Sequence, residues 1–399
     1  MESAPLLTPP VSESPTPWNW ARKNLFSTWY NSILTVICLI VIFQFLKGFA
    51  LWVTTKAQWR VIEANLPLFF AGRFPRDLHW RLWVIMGIIA LLGGLTWGNF
   101  QRQVSLWNRP LLILLGSSIA AALLLPTDLT SRLWLLGNII IATVGYGFGQ
   151  QINSKITRWL PLAWIFSFPV ILWLIKGGLG LKEVPTNDWG GLMLTLFAAV
   201  VSIALSFPLG VFLALGRQSN LPVVRAFSIL YIEIIRGLPL IGILFLGQVM
   251  LQFFLPPGTP KLDRLVRAIA ALTLFSAAYL AENVRGGLQS VPRGQVEAAR
   301  SLGLNTPLVI LLIVLPQALR AVIPAIVGQL IGLFKDTSLL SLFGILELVG
   351  ISRSVLANPA YVGRYAEVYV FIGLIYWVFC YSMSLASRKL EQTLDVGQR

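Results

Sequence analysis

Long apolar segments alternate with short polar ones along the chain, and most of the apolar segments can cross a membrane as a helix. The hydrocarbon core of a bilayer is about 30 Å thick and needs roughly 20 apolar residues in helical conformation. Alternation of apolar and polar positions with period two is absent, which excludes a membrane β-barrel. The predicted spans lie at about residues 29–53, 80–98, 110–126, 133–150, 159–176, 190–215, 226–255, 266–288, 307–333 and 366–386.

The spans fall into two blocks of about five, and the chain is predicted to have three parts. Residues 1–24 are rich in Pro, Ser and Thr and have neither a basic start nor an apolar core, so they are interpreted as a disordered cytoplasmic tail rather than a signal peptide. Residues 25–180 form an N-terminal transmembrane extension, and residues 189–390 form the second block. The glycines, proline and charges of residues 177–188 favour a boundary there.

Charged residues within apolar spans indicate where function lies, because each must be satisfied by protein, water or a ligand. The first block is rich in Trp and Leu and has few polar residues within its spans, as expected of helices that face lipid. The second block contains Glu233, Arg236, Glu282, Arg320, Lys335 and Asp336 in or near its spans. We therefore assign function to the second block.

Composition agrees with a membrane protein and narrows the chemistry. Hydrophobic residues make up 56% of the 399 residues and charged residues only 12%, which is too little polar surface for a soluble globule. The net charge of +15 comes from basic residues beside the spans, which suits anionic lipid rather than nucleic acid. One histidine and two isolated cysteines predict no metal site, and no catalytic set is evident.

A short polar helix is predicted at residues 290–304, between two apolar spans. Ser290 is a candidate N-cap, Pro292 fits the first turn, and Gly303 supplies a left-handed stop. Thr306 and Pro307 repeat the cap and proline signal at the start of the next span. A polar helix with small residues in an otherwise apolar chain is typical of a docking surface for another protein.

The residues of this helix carry a family resemblance. Glu297-Ala298-Ala299, followed at fixed spacing by Gly303, Ile313 and Leu315-Pro316, resembles the EAA signature of ABC importer permeases. The surrounding residues resemble the polar amino acid uptake family, at Trp189-Gly190-Gly191, 233–240 (EIIRGLPL), 279–288 (YLAENVRGGL) and 332–339 (GLFKDTSL). The long N-terminal block, including residues 70–76, is similar to the larger, AapM-like permease of general L-amino acid systems.

The resemblance implies the fold of a type I ABC importer permease of about ten spans, preceded by the multi-span extension. It also implies a second, similar permease chain as a heterodimer partner, an ABC ATPase dimer that binds ATP and Mg, and an extracytoplasmic amino-acid-binding protein. This chain itself has no GxxxxGK[ST] loop and is expected to bind no cofactor and to catalyse no reaction. The residues expected to couple to the ATPase are Val296, Glu297, Ala298, Ala299, Leu302 and Gly303.

Candidate residues for the substrate pathway are charged or hydroxylated. Glu233 and Arg236 lie three apart on one helical face and form either an intrahelical pair or part of the pathway. Glu282 either lines the pathway or pairs with Arg285. The segment Lys335-Asp336-Thr337-Ser338 follows Pro324, Gly328 and Gly332, so we expect a broken helix that exposes backbone groups to a cavity. Lys335 and Asp336 are adjacent and cannot share one helical face.

The distribution of basic residues predicts the orientation. With residues 289–305 inside, more basic residues of the second block lie on the cytoplasmic side than outside, and both termini are cytoplasmic. The loop at residues 54–79 is then external and is expected to lie in the outer interface as an amphipathic segment. The chain is thus predicted to be an inner-membrane permease of an ATP-driven amino acid importer. The alternatives are a secondary amino acid transporter or channel, and a membrane scaffold without transport.

Overall fold

The structure is a computed structural model that describes residues 16–101, 115–116, 118–120, 122–123, 127–254, 256 and 258–393. All the regular elements in these ranges are helices, apart from two isolated bridges between single residues. The described residues divide into two compact units between Trp59 and Arg60, whereas the sequence favoured a boundary at residues 177–188. The predicted all-α membrane fold is confirmed.

The first unit contains two helices. α1 (Pro17–Leu25) begins after Thr16, whose hydroxyl accepts a hydrogen bond from the Asn19 N–H. Residues 17–24, expected to be disordered, are therefore helical, and the rest of the predicted tail lies outside the described residues. α2 (Trp29–Leu51) is apolar on all sides, has no buried residue and continues as a π-helical turn through Lys56. Such a helix is suited to lipid.

The second unit begins with α3 (Arg60–Ala71), a helix within the segment that the sequence predicted to be amphipathic. Val61, Leu66 and Phe69 are among its buried residues, and Phe69 makes an edge contact with the Phe371 ring at 5.2 Å between centroids. α3 packs on three helices of the second block, Gly191–Arg217, Leu348–Leu356 and Tyr365–Thr393. Most of its apolar side chains lie on one helical face and pack on protein, whereas Phe70 is exposed.

Three further helices belong to the N-terminal extension: α4 (His79–Phe100), α5 (Leu129–Gln151) and α6 (Leu160–Lys176). α4 and α5 run in the same direction, and their backbones touch through glycines. A Cβ atom on Gly94 or Gly98 would overlap the backbone of Ala142 or Tyr146. This close approach is typical of glycine-rich pairs of membrane helices. The predicted span at 110–126 lies largely outside the described residues.

The second block contains the remaining helices. They are α7 (Gly191–Arg217), α8 (Pro222–Gly237), α9 (Leu240–Phe245), α10 (Arg264–Ser290), α11 (Arg293–Ser301), α12 (Leu315–Asp336), α13 (Leu348–Leu356) and α14 (Tyr365–Thr393). Small residues recur at every fourth position along one face of α7 and are buried. They include Ala198, Ser202, Gly210 and Ala214. They let α7 and α10 approach closely. The bundle has α11 at one end and α13 at the other.

Within the described ranges, seven helices are long and apolar enough to cross a membrane, and a bent pair makes an eighth span. The bent pair is α8 and the helical segment Leu240–Met250 that begins with α9, and the sequence predicted one span at 226–255 for both. They meet at an angle of 104°. Leu238 is extended, with φ −101° and ψ 141°, because a residue before proline disfavours the helical region. α6 is apolar but shorter than the other spans.

The sequence predicted a broken helix at the segment from Lys335 to Ser338, and α12 changes helix type there without a break in the chain of helical turns. The α-helix continues past Pro324, Gly328 and Gly332 to Asp336, and the chain then tightens into a 3₁₀-helix from Thr337 to Phe343. Gly344 ends this segment with φ +73°. The change in helix type therefore falls at the polar residues themselves.

Candidate coupling and substrate sites

α11 is the polar helix that the sequence predicted, with different caps. Pro292 is its N-cap residue, and Ser290 is the last residue of α10, where its hydroxyl donates to the Gly287 carbonyl. Ser290 therefore does not cap α11. Gly303 has φ +81°, the left-handed stop that was predicted. At the next helix, Asn305 rather than Thr306 is the cap, and its side chain accepts from the Leu308 N–H.

α11 is fixed to the start of the following span. It packs on a π-helical turn, Val309–Val314, that leads into α12. Pro316 is the second residue after this turn, and a proline ring displaces the carbonyl four residues earlier, which favours a wider turn there. Ala299 is 3% exposed, and its carbonyl accepts from the Leu304 N–H. The buried Ala299 and the turn Val309–Val314 therefore connect α11 to the start of α12 by packing.

The other residues of the predicted coupling set lie at different depths. Glu297 and Ala298 are exposed, and Leu302 is 82% exposed, which is unusual for a leucine beside a polar helix. Ala298 and Leu302 are four residues apart and share a face. Val296 is half-buried, and Ala299 faces its own chain. Ala298 and Leu302 therefore present the accessible apolar surface of this segment.

An ion-pair cluster joins α7, α8 and α10 near the bundle end that carries α11. Glu282 lies eight residues before the end of α10, so it is roughly 12 Å from that end. Arg285 Nε lies 3.0 Å from both carboxylate oxygens of Glu282. Arg217 Nη1 is 3.5 Å and Arg236 Nη1 is 3.8 Å from Glu282 Oε2. Three guanidinium groups thus converge on one carboxylate.

Glu233 and Arg236 have different partners, although they lie on one face of α8. Glu233 Oε1 is 2.9 Å from Arg217 Nη1, without the alignment of a hydrogen bond. Arg236 lies over the Tyr279 ring, 5.6 Å from its centroid, in addition to its contact with Glu282. No pair between Glu233 and Arg236 occurs in the described structure. The two residues instead connect α8 to its neighbours.

The segment from Lys335 to Ser338 lies where α12 meets α13 and α14. Lys335 and Ser338 line a cavity of about 360 Å³ together with Val349, Tyr369, Ile372, Gly373 and Tyr376. Asp336 is half-buried, and its carboxylate accepts no hydrogen bond within the described ranges. Thr337 is fully buried and donates to the Phe334 carbonyl. Lys335 and Asp336 therefore occupy different surroundings, as their adjacency requires.

Glu347 was not among the residues predicted from the sequence, and the structure places it beside this cavity. Glu347 lies between the last two spans and is fully buried. Its carboxylate accepts from the N–H groups of Val349 and Gly350 at 2.9 and 2.8 Å, and from the Tyr376 hydroxyl at 3.3 Å. Burial raises the pKa of Glu347 to about 7, against these hydrogen bonds and the charge of Arg353. A glutamate just before a helix is a candidate cap, but its burial depends on tertiary contacts.

This carboxyl should make stability depend on pH. Because its folded pKa is raised above the unfolded value of 4.5, the native state binds the proton more tightly. The resulting stability is fully present below pH 4.5 and is lost as pH rises through 7, by roughly 3 kcal/mol. We expect Glu347→Gln to flatten the melting temperature of the purified chain between pH 5 and 8. Glu297→Gln, at an exposed glutamate, is the control, and equal slopes for the wild type and Glu347→Gln would contradict this.

The chain is similar in sequence to known membrane transport proteins. Residues 206–396 match the family described as binding-protein-dependent transport system inner membrane component. The chain is 37% identical over 396 residues to the inner membrane amino-acid ABC transporter permease protein YhdY of Escherichia coli (strain K12), covering 95% of this chain and 93% of YhdY. It is 36% identical over 428 residues to BztC of Rhodobacter capsulatus, a glutamate/glutamine/aspartate/asparagine transport system permease protein, covering 95% and 94%.

A shorter relative matches about half of the chain. The probable glutamine ABC transporter permease protein GlnP of Bacillus subtilis (strain 168) is 39% identical over 203 residues, which is 51% of this chain and 91% of GlnP. The two long alignments cover nearly the whole chain, including most of the N-terminal helices. The resemblance predicted from the sequence is thereby confirmed. The chain belongs to the family of inner membrane components of binding-protein-dependent transport systems, the permease subunits of ABC importers.

Proposed function

We propose that this chain is the transmembrane permease of an ATP-driven amino acid importer. The observation that carries the proposal is the exposed surface of α11, which packs through the turn Val309–Val314 on the start of a membrane-spanning helix. A partner that moves α11 would move α12 with it. The amino acid assignment is supported by relatives that are named as amino acid permeases and that align with nearly the whole chain.

We propose three kinds of partner for this chain. Energy comes from an ABC ATPase dimer that binds ATP and Mg and docks on residues 290–304. An extracytoplasmic binding protein delivers the amino acid, and a second, similar permease completes the pathway. The second permease is supported by α8, which exposes Phe227, Leu230 and Ile234 beside Glu233. We propose that both termini and α11 are cytoplasmic, as the basic residues predict.

For the substrate pathway, we propose that Asp336 binds the ammonium group of the amino acid. Its carboxylate is half-buried and accepts no hydrogen bond in the described structure, so a cation there would satisfy it. Lys335 and Ser338 are proposed to line the same route through their cavity. Tyr376, which borders it, is the twelfth residue of α14, so the cavity lies roughly 16 Å into the membrane. Binding near the midplane suits transporters.

The remaining candidate residues are proposed to border the pathway without binding the substrate tightly. Glu233, Arg236 and Glu282 already have partners in the ion-pair cluster. Thr337 donates its hydroxyl within its own helix and is fully buried. Asp336 is therefore the sharpest test of a substrate contact.

The test is uptake into proteoliposomes that contain the chain, its second permease and its ATPase, with the binding protein outside. We expect uptake of a labelled amino acid with ATP inside and none with ADP, because this chain supplies no energy source. Uptake that persists without ATP would contradict the proposal and favour a secondary transporter or channel. No uptake under any condition, from an assembled complex, would favour a scaffold.

In the same assay, we expect Asp336→Asn to reduce uptake by about tenfold. A hydrogen bond to a charged group contributes roughly 1.5–3 kcal/mol, and the amide cannot replace the charge. Binding of the ATPase should be unchanged. Glu183→Gln, which removes an exposed carboxylate far from the cavity in sequence, is the control. Uptake by Asp336→Asn equal to that of the control would exclude Asp336 as a substrate contact.

A further inference from the structure

A second cavity lies in the N-terminal extension, away from the pathway. It has a volume of about 190 Å³ and lies between α4, α6 and residues 152–159, which connect α5 to α6. Its apolar lining residues are Leu92, Leu95, Ile152, Ile156, Trp159, Leu160 and Ala163. The lining therefore suits a hydrocarbon chain better than a polar molecule.

Two polar residues line this cavity, and a basic residue, Arg158, lies in sequence between two of the lining residues, Thr157 and Trp159. Asn99 and Thr157 line it, and the Thr157 hydroxyl donates to the Asn99 side-chain oxygen at 3.1 Å. Arg158 is exposed, with its guanidinium 5.9 Å from the centre of the Trp159 ring. No described carboxylate lies within 4.0 Å of Arg158, and the sequence has no Asp or Glu from Leu129 to Lys182. A cation without a carboxylate partner in the described structure thus adjoins two lining residues of an apolar groove.

The groove also lies at the level of a membrane surface. α4 ends at Phe100, α5 ends at Gln151 and α6 begins at Leu160, so three helix ends surround it. Trp159 is 57% exposed, and amphipathic aromatic rings of this kind concentrate at the headgroup level. Under the proposed orientation this is the cytoplasmic leaflet, which carries anionic lipid.

We propose that this groove binds one anionic phospholipid of the surrounding membrane. An acyl chain fills the apolar cavity, and the phosphate meets the Arg158 guanidinium, which has no carboxylate partner in the described structure. Charge complementarity selects this occupant. A zwitterionic lipid carries its own ammonium group, which competes with Arg158 for the phosphate, and an apolar protein segment offers Arg158 no anion. The site holds the loop between α5 and α6 against α4. It is independent of the transport reaction.

The test compares lipid retention by the purified full chain. The chain is incorporated into nanodiscs of equal phosphatidylglycerol and phosphatidylethanolamine, extracted, and analysed by native mass spectrometry. We expect one phosphatidylglycerol retained per chain, and about five-fold less with Arg158→Gln, since one basic residue near the surface is worth about a factor of five. Ala163→Phe, which fills the cavity and leaves Arg158 in place, should also lose the lipid. Lys176→Gln, at the opposite end of α6, should retain it.

Three outcomes would overturn the proposal. Equal retention of phosphatidylethanolamine would show no selection by charge. Equal retention by the wild type and Arg158→Gln would remove the headgroup contact. Cross-linking of a cysteine introduced at Ala163 to another segment of the chain would show that protein, rather than lipid, fills the groove. Because Arg158 is exposed, its substitution leaves the packing of the helices unchanged, so misfolding would not imitate a negative result.

Discussion

Replacing Leu302 with glutamate is expected to abolish ATP-driven uptake and to release the ATPase from the purified complex. Leu302 is 82% exposed in this chain, so its side chain contributes little to the stability of the permease. In the proposed complex it is buried in the ATPase, where a leucine contributes roughly 1.5–3 kcal/mol. A glutamate there loses this contribution and adds the cost of burying a charge. We therefore expect at least about 100-fold weaker binding of the ATPase.

Two measurements check this prediction. Co-purification reports binding of the ATPase, and uptake into proteoliposomes reports coupling. Asn220→Glu makes the same change of charge at an exposed position in the turn between α7 and α8, at the same end of the bundle, and should preserve both. The melting temperature of Leu302→Glu alone should equal that of the wild type. Full uptake by Leu302→Glu would show that this face of α11 does not contact the ATPase.

The sequence predicted the existence of α11 well, but not the roles of its two alanines. The helix, the proline at its start and the left-handed glycine after its end follow from local sequence preferences, and the structure shows all three. Which alanine faces outward depends on how the helix packs on Val309–Val314, and this is a tertiary contact. Ala299 faces its own chain and Ala298 faces outward. A cysteine for cross-linking to the ATPase therefore belongs at Ala298.

Most spans were predicted because their apolar segments are long, and the failures have a common cause. The bend at Leu238 and Pro239 interrupts neither the length nor the hydropathy of its segment, so a count of apolar residues cannot detect it. The proline was visible, yet prolines at 208 and 324 lie inside continuous helices. The position of a proline alone therefore does not distinguish a helix that continues past the proline from a helix that breaks there. The packing of neighbouring helices decides between the two.

The α13 end of the bundle was predicted least well, because long-range contacts build it. The Gly191 N–H donates to the Leu346 carbonyl, and the Leu348 N–H donates to the Thr195 hydroxyl. Gly72 packs so closely on Gly190 that a Cβ atom on either residue would overlap the other. These contacts bring α3, α7 and α13 together around the buried Glu347. They join residues far apart in sequence, and no local pattern reports them.

The ion-pair cluster also combines predictable and unpredictable contacts. Glu282 and Arg285 are three residues apart on α10, and a helical pair was among the expected alternatives. Arg217 and Arg236 reach the same carboxylate from α7 and α8. Glu282 therefore neutralises three arginines from three helices. Within the membrane, little water is present to solvate these arginines in place of the carboxylate.

Replacing Glu282 with alanine is accordingly expected to destabilise the chain strongly. The change leaves Arg285 and Arg236 without a carboxylate within 4.0 Å in the described structure, and Arg217 with Glu233 alone. Breaking a buried pair by removing one partner typically costs 3–5 kcal/mol, and the Glu282 side chain is 22% exposed, so we expect roughly 3 kcal/mol. Glu233→Ala should cost less, because its side chain is 55% exposed and meets one arginine.

A double-mutant cycle separates a structural role of Glu282 from contact with substrate. If the carboxylate mainly balances the arginines, adding Arg285→Ala to Glu282→Ala should recover part of the lost melting temperature, because one uncompensated cation is removed. Uptake should return in the same proportion. If Glu282 instead binds the amino acid, the double variant should regain stability without regaining uptake. If stability does not recover, Glu282 does not act as a counter-charge. A helix that has lost one charge of each sign should be more stable than a helix that keeps an unpaired arginine.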